Sequence, residues 1–339
     1  MSLWPVYTGA DEPHDGVGQL PAPPPWRDFD GGPAVEPPPD DEVSSPDREH
    51  RARAYRATDE SVQLVNAALY LRRPLLVTGP PGSGKSSLPY AVARELRLGP
   101  VLRWNITSRS TLGDGLYQYD PLSRLYAAGQ GPQGPGGESG GSGGHIEDHL
   151  RLGPLGTALL PYERPRVLLI DEIDKSDLDL PNDLLNVMEE GQYEIPELVR
   201  AARTRPGARV LTADADRLVA VERGRVRCRA FPFVVLTSNG EREFPPAFLR
   251  RCVTLELRQP VAAHLEEIVR AHLGELDAPG RELIRTFLER GSGGELATDQ
   301  LLNAIYLTRT SGLAGASREQ LADHLLRYLS RAPEPDDDF

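Results

Sequence analysis

Residues 79–86 read Gly-Pro-Pro-Gly-Ser-Gly-Lys-Ser, which is the G-x-x-x-x-G-K-[ST] pattern of a phosphate-binding loop. The chemistry open to such a run is capture of a polyphosphate. Gly79, Gly82 and Gly84 allow backbone N–H groups to turn inward around an anion, with Pro80, Pro81 and Ser83 filling the loop between them. Lys85 can reach the terminal phosphates, the Ser86 hydroxyl can bind Mg²⁺, and Ser87 completes the binding set. A chain with 33 glycines can match such a pattern by chance. The setting argues otherwise. An apolar run over 74–78 leads in as a strand, and a helical pattern over 86–96 leads out, aiming its positive end at the anion. The expected ligand is a nucleoside triphosphate.

Three further runs supply groups that a hydrolytic reaction needs. Residues 167–170 are apolar and end in Asp171-Glu172. This places Asp171 at a strand tip, where it can hold a metal's water shell, and Glu172 beside it, where it can orient and deprotonate water. Acids at the polar end of a buried strand are common in themselves, and only the phosphate loop upstream makes these two functional. Residues 233–238 form another apolar run, and Asn239 at its end can reach a γ-phosphate or the attacking water. Just beyond it stand Arg250 and Arg251. An arginine presents a planar fork of donors to a phosphate, and one supplied in trans strongly accelerates phosphoryl transfer.

The elements that must position these groups are legible as alternating strands and helices. Strands are expected over 74–78, 100–107, 166–171 and 231–237, and a helix capped by Asp59 or Ser61 is expected to run to about Leu71. The near-continuous apolar strands predict a parallel sheet covered on both faces, with its site at the strands' C-terminal ends. From Ala262 the pattern is helical only, over 262–273, 279–290, 298–310 and 317–330, which predicts a small helical domain. The fold class is thus α/β, with folded sequence expected over 51–260 and a helical domain over 261–331. A Gly-rich insertion at 129–144 should be flexible, and 332–339 should be an acidic tail. Residues 1–50 are rich in Pro, Gly and Asp and predict a disordered tail, in which Trp4, Tyr7, Trp26 and Phe29 are either incidental or docking anchors.

Composition narrows the function. The formal net charge of −12 disfavours nonspecific binding to nucleic acid or anionic membrane. Two cysteines in 339 residues fit a reducing, cytoplasmic setting, and the first residues have neither the basic start nor the apolar core of a signal peptide.

With these blocks in order, the chain resembles the AAA+ ATPases and, within them, the MoxR-like group, over about residues 53–330. The resemblance rests on residues 74–82, on Asp171-Glu172-Ile173-Asp174-Lys175 with 180–185, and on 237–243 running into 247–252. It implies an αβα sandwich followed by a helical lid, with ATP and Mg²⁺ as ligands. Lys85 and Ser86 take the Walker A role, Asp171 and Glu172 the Walker B role, and Asn239 that of sensor 1. Arg251 takes the arginine finger, with Arg250 the near alternative. It also implies a hexameric ring and a protein partner, in many such proteins one carrying a von Willebrand A domain. One departure is plain. The lid stretch 294–300 has no basic residue where many such lids carry the sensor 2 arginine, leaving Thr298 or backbone to couple lid and nucleotide.

Other features have two readings. Residues 200–229 hold nine arginines and no lysine. Arg223, Arg225, Arg227 and Arg229 fall on one face of a strand that pairs with 218–221 across Arg223-Gly224, a β-hairpin within about 209–230. In the resembling family a hairpin before sensor 1 faces the pore. These arginines are either a pore grip for an acidic polypeptide or nucleic acid, or a solvated or salt-bridged face. Tyr55 either packs on the adenine or belongs to the core. His145 and His149 have a metal-compatible spacing but no third ligand, and Cys252 is a packed small residue rather than a nucleophile. Residues 153–159 could be a loop facing a subunit or a substrate. Three functions compete: a remodelling chaperone, a nucleic-acid motor or restriction-type NTPase, and a slow nucleotide switch that assembles a signalling or defence complex.

Overall fold

A computed structural model describes residues 4–10, 12–39, 45–129, 146–214, 217–290 and 298–310. In chain order the elements begin with α1 (Pro46–Ala54), α2 (Asp59–Leu71), β1 (Leu75–Thr78), α3 (Leu88–Glu95) and β2 (Leu102–Asn105). They continue with α4 (Leu112–Leu116), β3 (Tyr117–Tyr119), α5 (Pro121–Gly129), β4 (Leu150–Leu152), α6 (Pro154–Ala158), β5 (Val167–Asp171) and α7 (Leu180–Glu190). Next come β6 (Gln192–Glu194), α8 (Pro196–Ala201), β7 (Gly207–Leu211), β8 (Leu218–Glu222), β9 (Arg225–Arg227) and β10 (Phe233–Ser238). The last are α9 (Pro246–Leu249), β11 (Val253–Glu256), α10 (Ala262–Leu273), α11 (Ala278–Arg290) and α12 (Thr298–Thr310).

Five strands form a parallel sheet in the order β11-β1-β10-β5-β2. Alternate residues of its apolar strands feed two cores. Leu75, Val77, Val167, Leu169 and Val235 pack with Val65, Leu69, Leu88 and Val92 of α2 and α3. Leu76, Leu168, Ile170, Val234 and Leu236 pack with Leu155, Leu159, Leu184 and Met188 on the other face. This is the expected sandwich, and it explains why these strands read as unbroken apolar runs. The edge strand β11 was not expected. At four residues, with every second side chain exposed, it carries too weak a pattern to be seen. Thr58, not Asp59 or Ser61, caps α2. Its extended backbone lets its hydroxyl accept from Ser61 N–H at 3.1 Å, while Ser61 Oγ accepts from Thr58 N–H at 2.9 Å.

The N-terminal stretch, expected as a disordered tail over 1–50, is described over residues 4–10, 12–39 and 45–50. Among its described residues, two 3-10 turns are the regular structure before residue 46, and buried Val6, Tyr7, Val17 and Phe29 join the cores of the body. Its described residues nevertheless lie against the body, and α1 begins within it. The anchor reading holds for Tyr7 and Phe29, which are buried, and for Trp4, which packs edge-on against Tyr70; Trp26 is exposed. Buried Asn66 of α2 reads the backbone of the stretch: its Oδ1 accepts from Val6 and Tyr7 N–H at 2.7 and 2.9 Å, and its Nδ2 donates to Tyr7 O at 2.7 Å. Further along, Arg27 donates to Met188 O, Gly31 N–H donates to Cys228 O, and Val35 bridges to Tyr162. Asn66→Ala should therefore destabilise the fold by about 2–4 kcal/mol, because it strands buried backbone groups. It should also render residues 4–39 protease-sensitive before the body unfolds. Wild-type cleavage kinetics in the variant would show that Asn66 does not hold the stretch.

A second, six-stranded sheet of order β3-β4-β7-β8-β9-β6 carries the arginine-rich hairpin. β8 and β9 pair antiparallel across Arg223-Gly224, and both turn residues have positive φ (52° and 69°), the twist that a two-residue hairpin favours. Arg225, Arg227 and Arg229 are exposed on one face, as expected, but each meets a carboxylate of its own chain. The partners are Glu194 at 2.8 Å, Asp30 at 3.0 Å and Glu163 at 3.2 Å. The salt-bridged reading thus holds within the chain. Residues 153–159 are no surface loop. Pro154–Ala158 form α6, with Gly153 and Leu159 as its caps, and Leu155, Thr157 and Ala158 are fully buried.

The lid helices α10, α11 and α12 close a third core of Leu265, Val269, Ile284, Phe287, Leu301 and Ile305. The expected helix over 317–330, the stretch 294–297, the insertion from residue 130 onward and the acidic tail lie outside the described residues. Among the described residues, no helix is long and apolar enough to cross a membrane.

Candidate active site

The parallel register brings Thr78, Ser238 and Glu256 level at one edge of the sheet, and Asn105 level with Asp171. Here the strands end and the functional side chains begin. A cleft of about 860 Å³ opens between this edge and the lid. Its walls include residues 81–87, Asp171, Glu172, Thr237 and Asn239 from the sheet, Tyr55 and Arg56 from the segment before α2, and His264, Ile268 and Thr298 from the lid.

The phosphate loop has the backbone its glycines permit. Gly79, Gly82 and Gly84 have φ of 148°, 73° and 89°. At Gly79 a Cβ would also lie 2.2 Å from Leu257 O, so no side chain fits there. Lys85 is buried, and its ammonium donates to Gly79 O at 2.7 Å and Pro80 O at 2.8 Å. Burial pulls its pKa below the usual lysine value, against the opposing pull of Asp174, Asp171 and Glu172. Ser83 Oγ is buried and has no hydrogen-bond partner among the described residues. The helix starts at Leu88, two residues later than expected, with Ser87 as its N-cap.

Asp171 is the hub of the site. Its Oδ1 accepts from Ser86 Oγ at 2.8 Å and from Thr237 Oγ1 at 2.7 Å, and its Oδ2 accepts from Arg103 Nη2 at 2.7 Å. Burial raises its pKa, but the hydrogen bonds from Thr237, Ser86 and Arg103 outweigh that and hold it below the usual carboxylate range. Thr237 Oγ1 also accepts from Glu172 N–H at 2.9 Å, so one hydroxyl positions both acids. Glu172 itself has φ 62° and ψ 50°, and its Oε2 accepts from Lys175 Nζ at 2.8 Å. Asn239 N–H donates at 2.9 Å to Asp174, a buried carboxylate that also accepts from Glu241 N–H. This fixes the turn on which Asn239 lines the cleft.

The sequence reasoning missed Arg103 and Thr237. Thr237 was visible as the polar end of an apolar run. Arg103 carried the weaker signal of a lone basic residue in the alternating strand 102–105. Of the expected residues, Gly79 and Pro80 at the start of the loop and the pair Arg250 and Arg251 do not line the cleft. Arg251 pairs with Glu189 of α7 and donates to Ala247 O at 3.1 Å, while Arg250 is exposed and its carbonyl accepts from Arg73. The Tyr55 ring lies against Gly84, where an added Cβ would sit 3.3 Å away, and burial pushes the phenol up to about 12. It is part of the cleft wall beside the phosphate loop. Thr298 is buried at the lid side, where Thr298 or backbone was expected to replace the missing basic residue. His149 bonds Ser123 at 3.1 Å, and His145 lies outside the described residues. Burial pushes the Cys252 thiol up to about 12, in keeping with a packed residue.

The donor set suits a hard divalent cation and a polyphosphate. Ser86 Oγ and Asp171 are oxygen donors held within 2.8 Å of each other, beside a loop of turned backbone and a buried, unpartnered hydroxyl. No curated protein sequence matches the chain. A family profile does, that of the AAA domain (dynein-related subfamily), and it runs from Pro74 before β1 to Cys252 after the arginine pair, more than half of the 339 residues. Profile, sheet order and site agree, and the chain belongs to the dynein-related subfamily of AAA domains, within the AAA+ P-loop ATPases.

Proposed function

We propose that this chain hydrolyses ATP with Mg²⁺ as one subunit of a hexameric ring of the MoxR-like type, and couples hydrolysis to remodelling a protein partner. One observation carries the reading. Lys85, Ser86, Asp171, Glu172 and Asn239 converge on one cleft, while Arg250 and Arg251 do not line it, which suits a role at another chain's nucleotide. Ser86 and Asp171 would hold a Mg²⁺ ion, which would supply positive charge to the bound polyphosphate.

The remaining work falls to side chains of the chain. Lys85 exchanges two loop carbonyls for phosphate oxygens. Thr237 keeps Asp171 and Glu172 in register, and Asn239 orients the water. Glu172 takes the water's proton once its carboxylate leaves Lys175. That exchange is easy, because the pair is about half exposed and such pairs contribute little. The protein-partner reading is supported by the net charge of −12 and by the hairpin arginines, whose charge is already matched by Glu194, Asp30 and Glu163. Both features work against tight binding of a nucleic acid.

Glu172→Gln tests the catalytic assignment. The amide keeps the size and the hydrogen-bonding capacity but cannot accept the proton. Turnover should fall by about 10²–10⁴-fold with ATP affinity retained. Measured turnover near the wild-type rate would assign the base to another residue.

A further inference from the structure

The cleft holds a cation that the mechanism above leaves unused. Arg103 stands on β2, two residues before Asn105, which is level with Asp171 on β5. The period of two therefore puts Arg103 on the face of the sheet that carries Asp171. It lines the cleft together with Lys85, Ser86 and Asp171. The Asp171 carboxylate is divided between two kinds of donor. Two neutral hydroxyls, Ser86 and Thr237, hold Oδ1, and a guanidinium holds Oδ2. The Asp171 side chain is 7% exposed and that of Arg103 36%, so the acid is sunk in the wall and the arginine reaches over it toward the cleft. Among the described residues, Asp171 is the one side-chain partner of the Arg103 fork. Its other N–H groups are therefore available to an anion. A guanidinium is not deprotonated in a protein, so this charge is permanent.

A carboxylate that serves a metal is ordinarily balanced by the metal. Here the chain supplies a fixed positive charge to the same carboxylate, on the phosphate side of the site. We propose that Arg103 is a second phosphate-recognising cation of this cleft, partnering Lys85, and that it lets the chain hold a nucleoside di- or triphosphate with little dependence on a divalent metal. The inference rests on the nucleotide-binding reading above and names a property that reading does not require. Two consequences follow from the charge count. Phosphate oxygens can take the unused donors of the fork while Oδ2 keeps its bond, as an arginine fork allows. A divalent ion approaching Asp171 meets a like charge and adds less than it would to an unpaired carboxylate.

The test is a comparison of affinities for fluorescent ADP and ATP analogues, measured with excess Mg²⁺ and with EDTA, in the full-length protein. In the wild type the two affinities should differ by less than about tenfold. Arg103→Ala should weaken binding in EDTA by about tenfold or more and change binding in Mg²⁺ by less than about threefold, because the ion then supplies the missing charge. Arg103→Lys, which keeps the charge without the fork, should fall between. Mg²⁺ alone should raise the Tm of Arg103→Ala more than that of the wild type, since Asp171 is then unpaired.

Arg103→Gln keeps a donor to Asp171 without the charge, and it replaces Arg103→Ala if circular dichroism shows the alanine variant unfolded. Wild-type binding that requires Mg²⁺ would overturn the proposal, as would an equal loss in both conditions for either neutral variant. A wild type that binds the nucleotides in neither condition would overturn the nucleotide-binding reading together with it.

Discussion

Lys85→Ala is expected to weaken nucleotide binding by about a hundredfold or more while leaving the fold intact. The ammonium is buried in the loop that would wrap the phosphates, and no other cation among residues 79–87 can replace it. Asp171, Glu172 and Asp174 all act on it electrostatically. Without the lysine an incoming polyphosphate meets these acids with less compensation, so repulsion adds to the lost bonds. The fold should tolerate the change. The carbonyls of Gly79 and Pro80, which accept from Lys85, belong to a partly exposed loop and can turn to water. Calorimetry with ATP and ADP checks this. Unchanged affinity in a folded variant would remove the phosphate-loop assignment.

Arg251→Ala should lower turnover by about a thousandfold without lowering ATP affinity in an isolated subunit, because a trans-acting arginine meets the transition state of a neighbour. Its position favours that role. It stands away from its own cleft, half exposed, held by Glu189 and by Ala247 O. Two expectations separate this from a local structural role. Turnover per chain should rise with protein concentration. Mixing Arg251→Ala with Lys85→Ala chains should restore part of the activity, at interfaces where an intact loop meets an intact finger. If the mixture stays inactive and Arg250→Ala inactivates in the same way, the finger is Arg250, which is more exposed and whose backbone carbonyl accepts from Arg73.

The core of the site was legible because its strands carry a strong signal. β1, β5 and β10 are buried on both faces, so the chain spells each as an apolar run, and the residues at their ends stand out by contrast. Three of the four expected lid helices lie in the described residues and were legible from their spacing, to within a residue. The second sheet was not legible as a whole. β3, β4, β6 and β9 are three residues each and come from segments far apart in sequence, so no local pattern announces them. Only its hairpin could be read, because Arg223-Gly224 closes it locally. The docking of residues 4–39 was hidden for a different reason. Part of its hold is on backbone groups of the stretch, which Asn66 and Glu95 read, and backbone groups are the same in every sequence. Composition could suggest anchors, but it could not separate buried Tyr7 from exposed Trp26. Arg103 was missed because a lone arginine on an edge strand ordinarily faces water.

The left-handed backbone at Glu172 has a consequence of its own. A residue with a Cβ pays roughly 1 kcal/mol or more to hold φ near 60°, and glycine does not. Its side chain recovers little of this in the half-exposed pair with Lys175. For folding alone, glycine would be the better tenant of position 172. For splitting a water molecule it would be useless. On the proposed role of Glu172 as the base, stability and turnover thus make opposite demands on a single residue.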